Sequence, residues 1–338
     1  MRSVEDLEDR LSTPRSELVE DLRHVDGDIM VLGASGKLGP SLVRLAVRAV
    51  EQAGTGARVL AVSRFGAPGS AEAMRATGAE VIAADIADDR ALEELPDARN
   101  VVFLVGAKFG SDGNEAGTWE TNAYLPGRVA RRFASSRISA LSTGNVYPLV
   151  PVSGGGATEE TPPEPVGEYA MSCLGRERVL QAASQQRGTP MSIIRLNYAV
   201  EMRYGVLVDI ASSIVAGEPV DLTTGFVNVV WQGYANDVTL RALRHASSPP
   251  FVLNLTGPET LSVRQVAEQL ASSVGKPVTF TGQEAETALL SNASRCHGLF
   301  GYPQLTVAEL IDATAYWVGA GLPTHGKPTK FQRRDGKF

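Results

Sequence analysis

Gly33-Ala34-Ser35-Gly36-Lys37-Leu38-Gly39 follows the apolar run Ile29-Met30-Val31-Leu32 and opens a helical stretch over about 38–53. A pyrophosphate needs backbone N–H groups aimed at it and a helix N-terminus behind it. Side chains would block that approach, so glycines belong at the contact points. Three glycines alone are a weak signal. Between a strand and a helix they have the context that a dinucleotide-binding turn requires. A plain glycine-rich turn is the competing reading. Cofactor contacts are expected at Gly33, Ser35, Gly36, Lys37, Leu38 and Gly39.

Further short apolar runs alternate with helical periodicity. Strands are expected at Val59-Leu60-Ala61-Val62, Val81-Ile82-Ala83-Ala84, Val101-Val102-Phe103-Leu104-Val105, Ile138-Ser139-Ala140-Leu141 and Ser192-Ile193-Ile194-Arg195-Leu196. Helices are expected near 69–77, 118–134 and 168–185. Apolar strands separated by helices imply βαβ units and a parallel sheet covered on both faces. The fold class is therefore α/β, a Rossmann doubly wound parallel sheet over 27–196. A smaller C-terminal substrate-binding region follows over 197–322, with the chain crossing back to the core. There, strands are expected at 227–231 and 251–255, and helices at 236–246, 262–273 and 306–319. Residues 323–338 form a Lys/Arg-rich tail without periodicity, expected as a surface extension.

Residues 1–26 precede the sheet as a helical extension of two short helices. Ser3 with Asp6 marks one cap, and Thr13 with Pro14 marks a second. The stripe Val4, Leu7, Leu11, Leu18 and Leu22 must pack on something, either the main body or a second copy of the chain in a homodimer.

The second strand ends at Val62-Ser63-Arg64, and no Asp or Glu occurs between Gly54 and Ser70. An acidic residue there would bond the ribose 2′-OH of NAD; an arginine suits the 2′-phosphate of NADP. Ser63 and Arg64 thus point to NADP, with NAD as the lesser alternative. Asp85-Ile86 ends the third strand, where a carboxylate and an amide can meet an adenine edge, or serve only a turn.

The 338 residues carry 32 Lys+Arg against 38 Asp+Glu, a net charge of −6, which disfavours a nucleic-acid partner. Two cysteines, Cys173 and Cys296, make neither a disulfide framework nor a four-cysteine metal site, so no metal is expected. Cys296 beside His297 reads as a buried thiol next to a surface imidazole. MRSVEDLEDR has no apolar core for a signal peptide, and no run suits a membrane span. A cytoplasmic protein acting on a small-molecule substrate is expected.

The Gly-x-x-Gly-x-x-Gly spacing, the Asp85-Ile86 pair and two further segments resemble the extended short-chain dehydrogenase/reductases, the NAD(P)-dependent epimerase/dehydratase group, over about residues 28–320. The first segment is Leu141-Ser142-Thr143-Gly144-Asn145-Val146-Tyr147; aligned on Val-Tyr, Thr143 falls on the family's catalytic hydroxyl. The second is Tyr169-Ala170-Met171-Ser172-Cys173, followed by Glu177, against the family's Tyr-x-x-x-Lys. Tyr169 matches, and Cys173 stands where the lysine belongs. The resemblance also implies cofactor contacts at Val105, Gly106, Lys108, Asn122 and Tyr169.

The resemblance implies that Tyr169 exchanges a proton with the substrate while hydride moves to or from the nicotinamide, and that Thr143 holds the same oxygen. A free tyrosine has a pKa of about 10, poorly matched to neutral pH. A lysine one turn away favours tyrosinate; a thiol supplies no charge. Three readings stay open. Lys108, just after the fourth strand, substitutes as the cation, resembling a lysine near the cofactor of UDP-galactose epimerases. Alternatively, Tyr169 works unassisted and slowly. Otherwise the site binds NADP without turnover, as a sensor or regulatory protein. Asn197, Arg203, Asn228 and Gln232 lie on segments that usually face the substrate and suit a sugar-like polyhydroxylated molecule.

Overall fold

The computed structural model describes residues 1–108, 110 and 113–337. A sheet of seven strands forms the centre. The strands are β1 Ile29–Leu32, β2 Val59–Ser63, β3 Glu80–Ala83, β4 Asn100–Phe103, β5 Arg137–Thr143, β6 Met191–Leu196 and β7 Phe251–Leu255. Their order is β7-β6-β5-β4-β1-β2-β3, and every pair is parallel. The chain reverses its direction of travel across the sheet between β1 and β4. That switch opens a crevice beyond the carboxyl ends of the strands.

Alternate residues of each strand serve opposite faces, which explains the unbroken apolar runs. Ile29, Val31, Val59 and Ala61 pack beneath Leu42, Val43 and Ala46. Met30, Leu32, Leu60 and Val62 meet Leu125, Val129 and Leu180 on the other side. The seventh strand comes from 251–255, where the chain crosses back from the C-terminal region to the edge of the sheet.

Helices α1 (Val4–Ser12) and α2 (Ser16–Arg23) pack on α3 (Gly39–Ala53). The stripe therefore covers the main body. Ser3 caps α1 as expected, accepting a bond from the Asp6 N–H at 3.2 Å. Thr13 does not cap α2: its hydroxyl turns back to the Asp9 carbonyl at 2.8 Å, and Arg15 precedes the helix. The helix expected over 118–134 is interrupted by a wide turn of π type at Glu120–Tyr124. The strand expected at 227–231 is two short pieces, Phe226–Val227 and Val230–Trp231. α4 spans Gly167–Arg187, α5 spans Val206–Ala216, and α6 starts at Gln232 rather than 236. His297 is buried, not at the surface, with Nε2 3.2 Å from the Thr256 carbonyl.

The tail runs largely over the surface and is anchored at a few points. Phe331 joins the C-terminal core, Thr329 is buried, and the Arg334 guanidinium donates to the Thr287 hydroxyl at 2.7 Å. No described helix is long and apolar enough to cross a membrane.

Candidate active site

The glycine turn does what its sequence implies. Gly33 has φ +91°, and a Cβ there would meet the Val105 side chain at 2.9 Å. A Cβ on Gly39 would overlap the Ala34 carbonyl, so the third glycine lets α3 press against the end of β1. Gly33, Ser35 and Gly36 line a cleft of about 640 Å³ with Ser63, Arg64, Asp85, Ile86, Val105 and Gly106. The Ser35 and Ser63 hydroxyls bond each other across its floor. Arg64 is 77% exposed and lies 3.9 Å from Asp85. Asp85 also accepts the Ala87 N–H at 3.1 Å, so it serves the turn as well. A cleft bounded by side-chain-free backbone at the start of a helix fits a dinucleotide diphosphate.

The same turn borders a second, smaller cavity of about 140 Å³. Lys37 does not stay beside the turn, as phosphate binding would suggest. Its ammonium crosses to the Ala199 carbonyl at 3.0 Å and sits 3.4 Å above the centre of the Tyr204 ring. Burial of the ammonium pulls its pKa down to about 7, Glu201 opposing and the nearby Lys108 charge adding to the fall. Leu38 lines this cavity too.

Thr143 ends β5, and Tyr169 stands in the first turn of α4; both line the cavity. The Thr143 hydroxyl accepts from the Asn145 backbone at 3.2 Å and its side chain at 3.0 Å. Cys173 follows one turn later on α4 and is buried. Burial, reinforced by Cys173, raises the Tyr169 pKa far above its ordinary value, with Thr143 and Arg176 opposing. Burial likewise raises the Cys173 thiol. That is the reverse of what a reactive thiolate needs.

Lys108 leaves the end of β4 and brings its ammonium 6.0 Å from the ring centres of both Tyr169 and Tyr198. It donates to the Thr329 carbonyl at 3.4 Å. Burial lowers its pKa to about 8; Asp209 and Cys173 oppose this, and Lys330 adds to it.

Four expected site residues lie elsewhere. Asn122 sits in the π turn, buried, and its amide bridges both backbone groups of Ala107 at 2.8 Å and takes Arg176 at 2.9 Å. It therefore fixes the β4 loop from behind rather than facing a ligand. The Asn228 amide bonds the Glu259 carbonyl and the Ser291 N–H. Gln232 donates to Ser41 at 3.0 Å, between α6 and α3. Arg203 is held by Glu201 and Glu8 and lines a separate cavity beside α5. All four join segments of the fold, although the Gln232 side-chain oxygen is buried without a partner among the described residues. Asn197, by contrast, lines the small cavity.

Sequence reading missed Tyr198, Tyr204, Thr329 and Arg176. Tyr198 has φ +44°, a strained state for an aromatic residue of the kind that gathers at functional sites. Arg176 lies two turns beyond Tyr169 on α4. That spacing could have revealed it as the buried cation behind the phenol.

Among the curated proteins compared, no sequence matches this chain. Solved structures share its fold at low identity. UDP-glucuronic acid 4-epimerase from Bacillus cereus, in complex with UDP-glucuronic acid and NAD, is 16% identical, with a TM-score of 0.70 over 87% of this chain and 99% of that one. The dTDP-glucose 4,6-dehydratase DesIV from Streptomyces venezuelae, with NAD and TYD bound, is 18% identical, with a TM-score of 0.72 over 86% and 97%. UDP-glucose 4-epimerase from Thermotoga maritima, with UDP-glucose, is 16% identical, with a TM-score of 0.70 over 87% and 99%. The family model for NAD dependent epimerases and dehydratases matches residues 29–220, more than half of the chain. With the glycine turn at a parallel switch point and a threonine–tyrosine pair beside it, the chain belongs to this NAD dependent epimerase/dehydratase family of enzymes.

Proposed function

We propose that the protein is an NADP-preferring epimerase, dehydratase or reductase acting on a sugar-like polyhydroxylated substrate, carried on a nucleotide as in the neighbouring enzymes. The observation that carries this reading is that Thr143 and Tyr169 line one cavity bordered by the glycine turn. When bound, the dinucleotide supplies a nicotinamide carbon that accepts or donates hydride. Thr143 holds the reacting oxygen of the substrate, and Tyr169 gives it a proton or takes one. Lys108 stands in for the missing lysine and, with Arg176, favours the tyrosinate that Cys173 disfavours. The preference for NADP rests on Arg64, helped by Ser63 and Ser35, at the end of β2. An arginine fork matches a phosphate well.

Two measurements test this. Fluorescence titration is expected to give tighter binding of NADPH than of NADH; equal affinity overturns the preference. A panel of nucleotide sugars is expected to change the absorbance of the bound nicotinamide or to yield an epimer or dehydrated product. Cys173 in the place of the family's lysine favours a second reading, an NADP-binding regulator without turnover. NADPH binding with no reaction across the panel would select it.

A further inference from the structure

Lys37 is placed the wrong way round for a surface lysine. Such side chains ordinarily keep the apolar stem against the protein and the charge in water. Here much of the residue is exposed, while the ammonium turns inward. It meets the Ala199 carbonyl at 3.0 Å and lies over the Tyr204 ring, 3.4 Å from its centre. A cation at that range is attracted by the negative face of the ring. Lys37 leaves from the middle of the glycine turn, between Gly36 and Gly39. It therefore ties the turn to a segment 162 residues further along the chain.

The segment it reaches is strained. Tyr198, next to Ala199, has φ +44°, a left-handed conformation that a bulky residue adopts only where its surroundings impose it. Two bonds hold it: the Tyr198 carbonyl accepts the Val230 N–H at 3.1 Å, and the Ala199 carbonyl accepts Lys37. The chain then folds back between Glu201 and Tyr204, whose backbone groups bond each other at 3.0 and 3.1 Å. Tyr198, Ala199 and Tyr204 line the small cavity together with Thr143 and Tyr169.

A second tie runs alongside the first. Gln232 and Asn236 on α6 donate to the Ser41 hydroxyl, in the first turn of α3, at 3.0 and 2.9 Å. Ala199-Val200 pairs in parallel with Val230-Trp231, which leads directly into Gln232. The start of α3 and this wall of the cavity are thus joined at two points.

We propose that Lys37 is a positioning residue that sets the Tyr198–Tyr204 wall of the reaction cavity, so that a dinucleotide seated on the glycine turn orders the surface on which the substrate lands. This role rests on the reading of the turn as a dinucleotide site. A ligand that fixes one end of a tie lowers the entropy cost of fixing the other. The diphosphate restrains the backbone of 33–39, and Lys37 passes that restraint to Ala199 and Tyr204. By reciprocity, a ligand on the wall tightens the dinucleotide by the same factor. No bond is made or broken at Lys37.

The test is hydrogen–deuterium exchange of the whole chain, alone, with 2′-phospho-ADP-ribose and with ADP-ribose. These are NADP and NAD without the nicotinamide ring, so slowing at the wall must pass through the turn rather than through contact with that ring. At least one probe is expected to slow the amides of 33–42. The same probe should slow those of 198–204 by roughly fivefold relative to helix Val263–Val274, the low end of coupling between two sites. In Lys37→Met the turn should stay protected, and the effect on the wall should fall below about twofold. Tyr204→Leu, which leaves the turn untouched, should weaken the effect as well; Tyr204→Phe keeps the ring and should retain it. A protected turn with an unresponsive wall in the wild type overturns the link alone, as does a response that survives both Lys37→Met and Tyr204→Leu. A turn that neither probe protects overturns the dinucleotide reading, and this role with it.

Discussion

Cys173, buried, stands one turn beyond Tyr169 on α4 and, with burial, helps to hold the phenol's pKa up. A thiol in that place favours neutral tyrosine and supplies no positive charge. Replacement by a cation reverses the sign. In Cys173→Lys, the limb of the kcat–pH profile set by the tyrosine is expected to move to lower pH, and kcat at pH 7 to rise by roughly tenfold, the effect of about one pKa unit. A profile that does not move shows that Lys108 and Arg176 already supply the charge.

Tyr169→Phe removes the proton donor and little volume. Loss of general acid–base catalysis is worth roughly 10²- to 10⁴-fold. We expect kcat to fall by at least a hundredfold, with the NADPH dissociation constant unchanged within about twofold. Stopped-flow turnover and fluorescence titration read the two quantities separately.

Beneath the cavity, Arg195 on β6 and Glu177 on α4 form a buried pair at 2.7 Å. Ser142 donates to Glu177 at 2.6 Å, and the Arg195 guanidinium donates to the Tyr147 hydroxyl at 2.7 Å. Arg195→Met strands the carboxylate without its counter-charge. The expected loss of stability is about 3–5 kcal/mol, by analogy with other broken buried pairs. Urea unfolding measures it.

Arg64 is free of the core, so its removal should leave stability alone. Arg64→Ala is expected to weaken NADPH roughly tenfold or more, the worth of about one charge-assisted bond, and to leave NADH unaffected. Parallel titrations of the two dinucleotides decide it.

The two cavity lysines also give stability a pH dependence. Their folded pKa values, about 7 and about 8, lie below the unfolded value near 10.4. Below pH 7 both states hold the protons, and the burial penalty stands in full. From pH 7 towards 10 the unfolded chain binds more protons, so stability rises with pH. The advantage of Lys108→Met over the wild type, read from unfolding midpoints, should therefore shrink between pH 6.5 and 9.5.

The sheet was readable because its strands are buried on both faces and so appear as continuous apolar runs. The glycine turn was readable because Gly33 and Gly39 answer steric demands that other residues meet poorly. Thr143 and Tyr169 came from motif spacing. Asn122, Arg203, Asn228 and Gln232 bond other segments of the chain, a use that sequence does not separate from a group awaiting a ligand. The path of Lys37 depended on where Ala199 and Tyr204 arrive, more than 160 residues later. No local pattern encodes that. The π turn escaped because its periodicity differs from that of an α-helix by a single residue.

Thr329 forms part of the wall of the small cavity, on a segment with no helix or strand of its own. It is tethered by Asp209, the Lys108 ammonium and, two residues on, the burial of Phe331. A single proteolytic nick in that strap would unroof the chamber and admit water while sparing every reacting side chain. Inactivation would then precede unfolding, and a clipped preparation would look native by its heat denaturation yet turn over poorly.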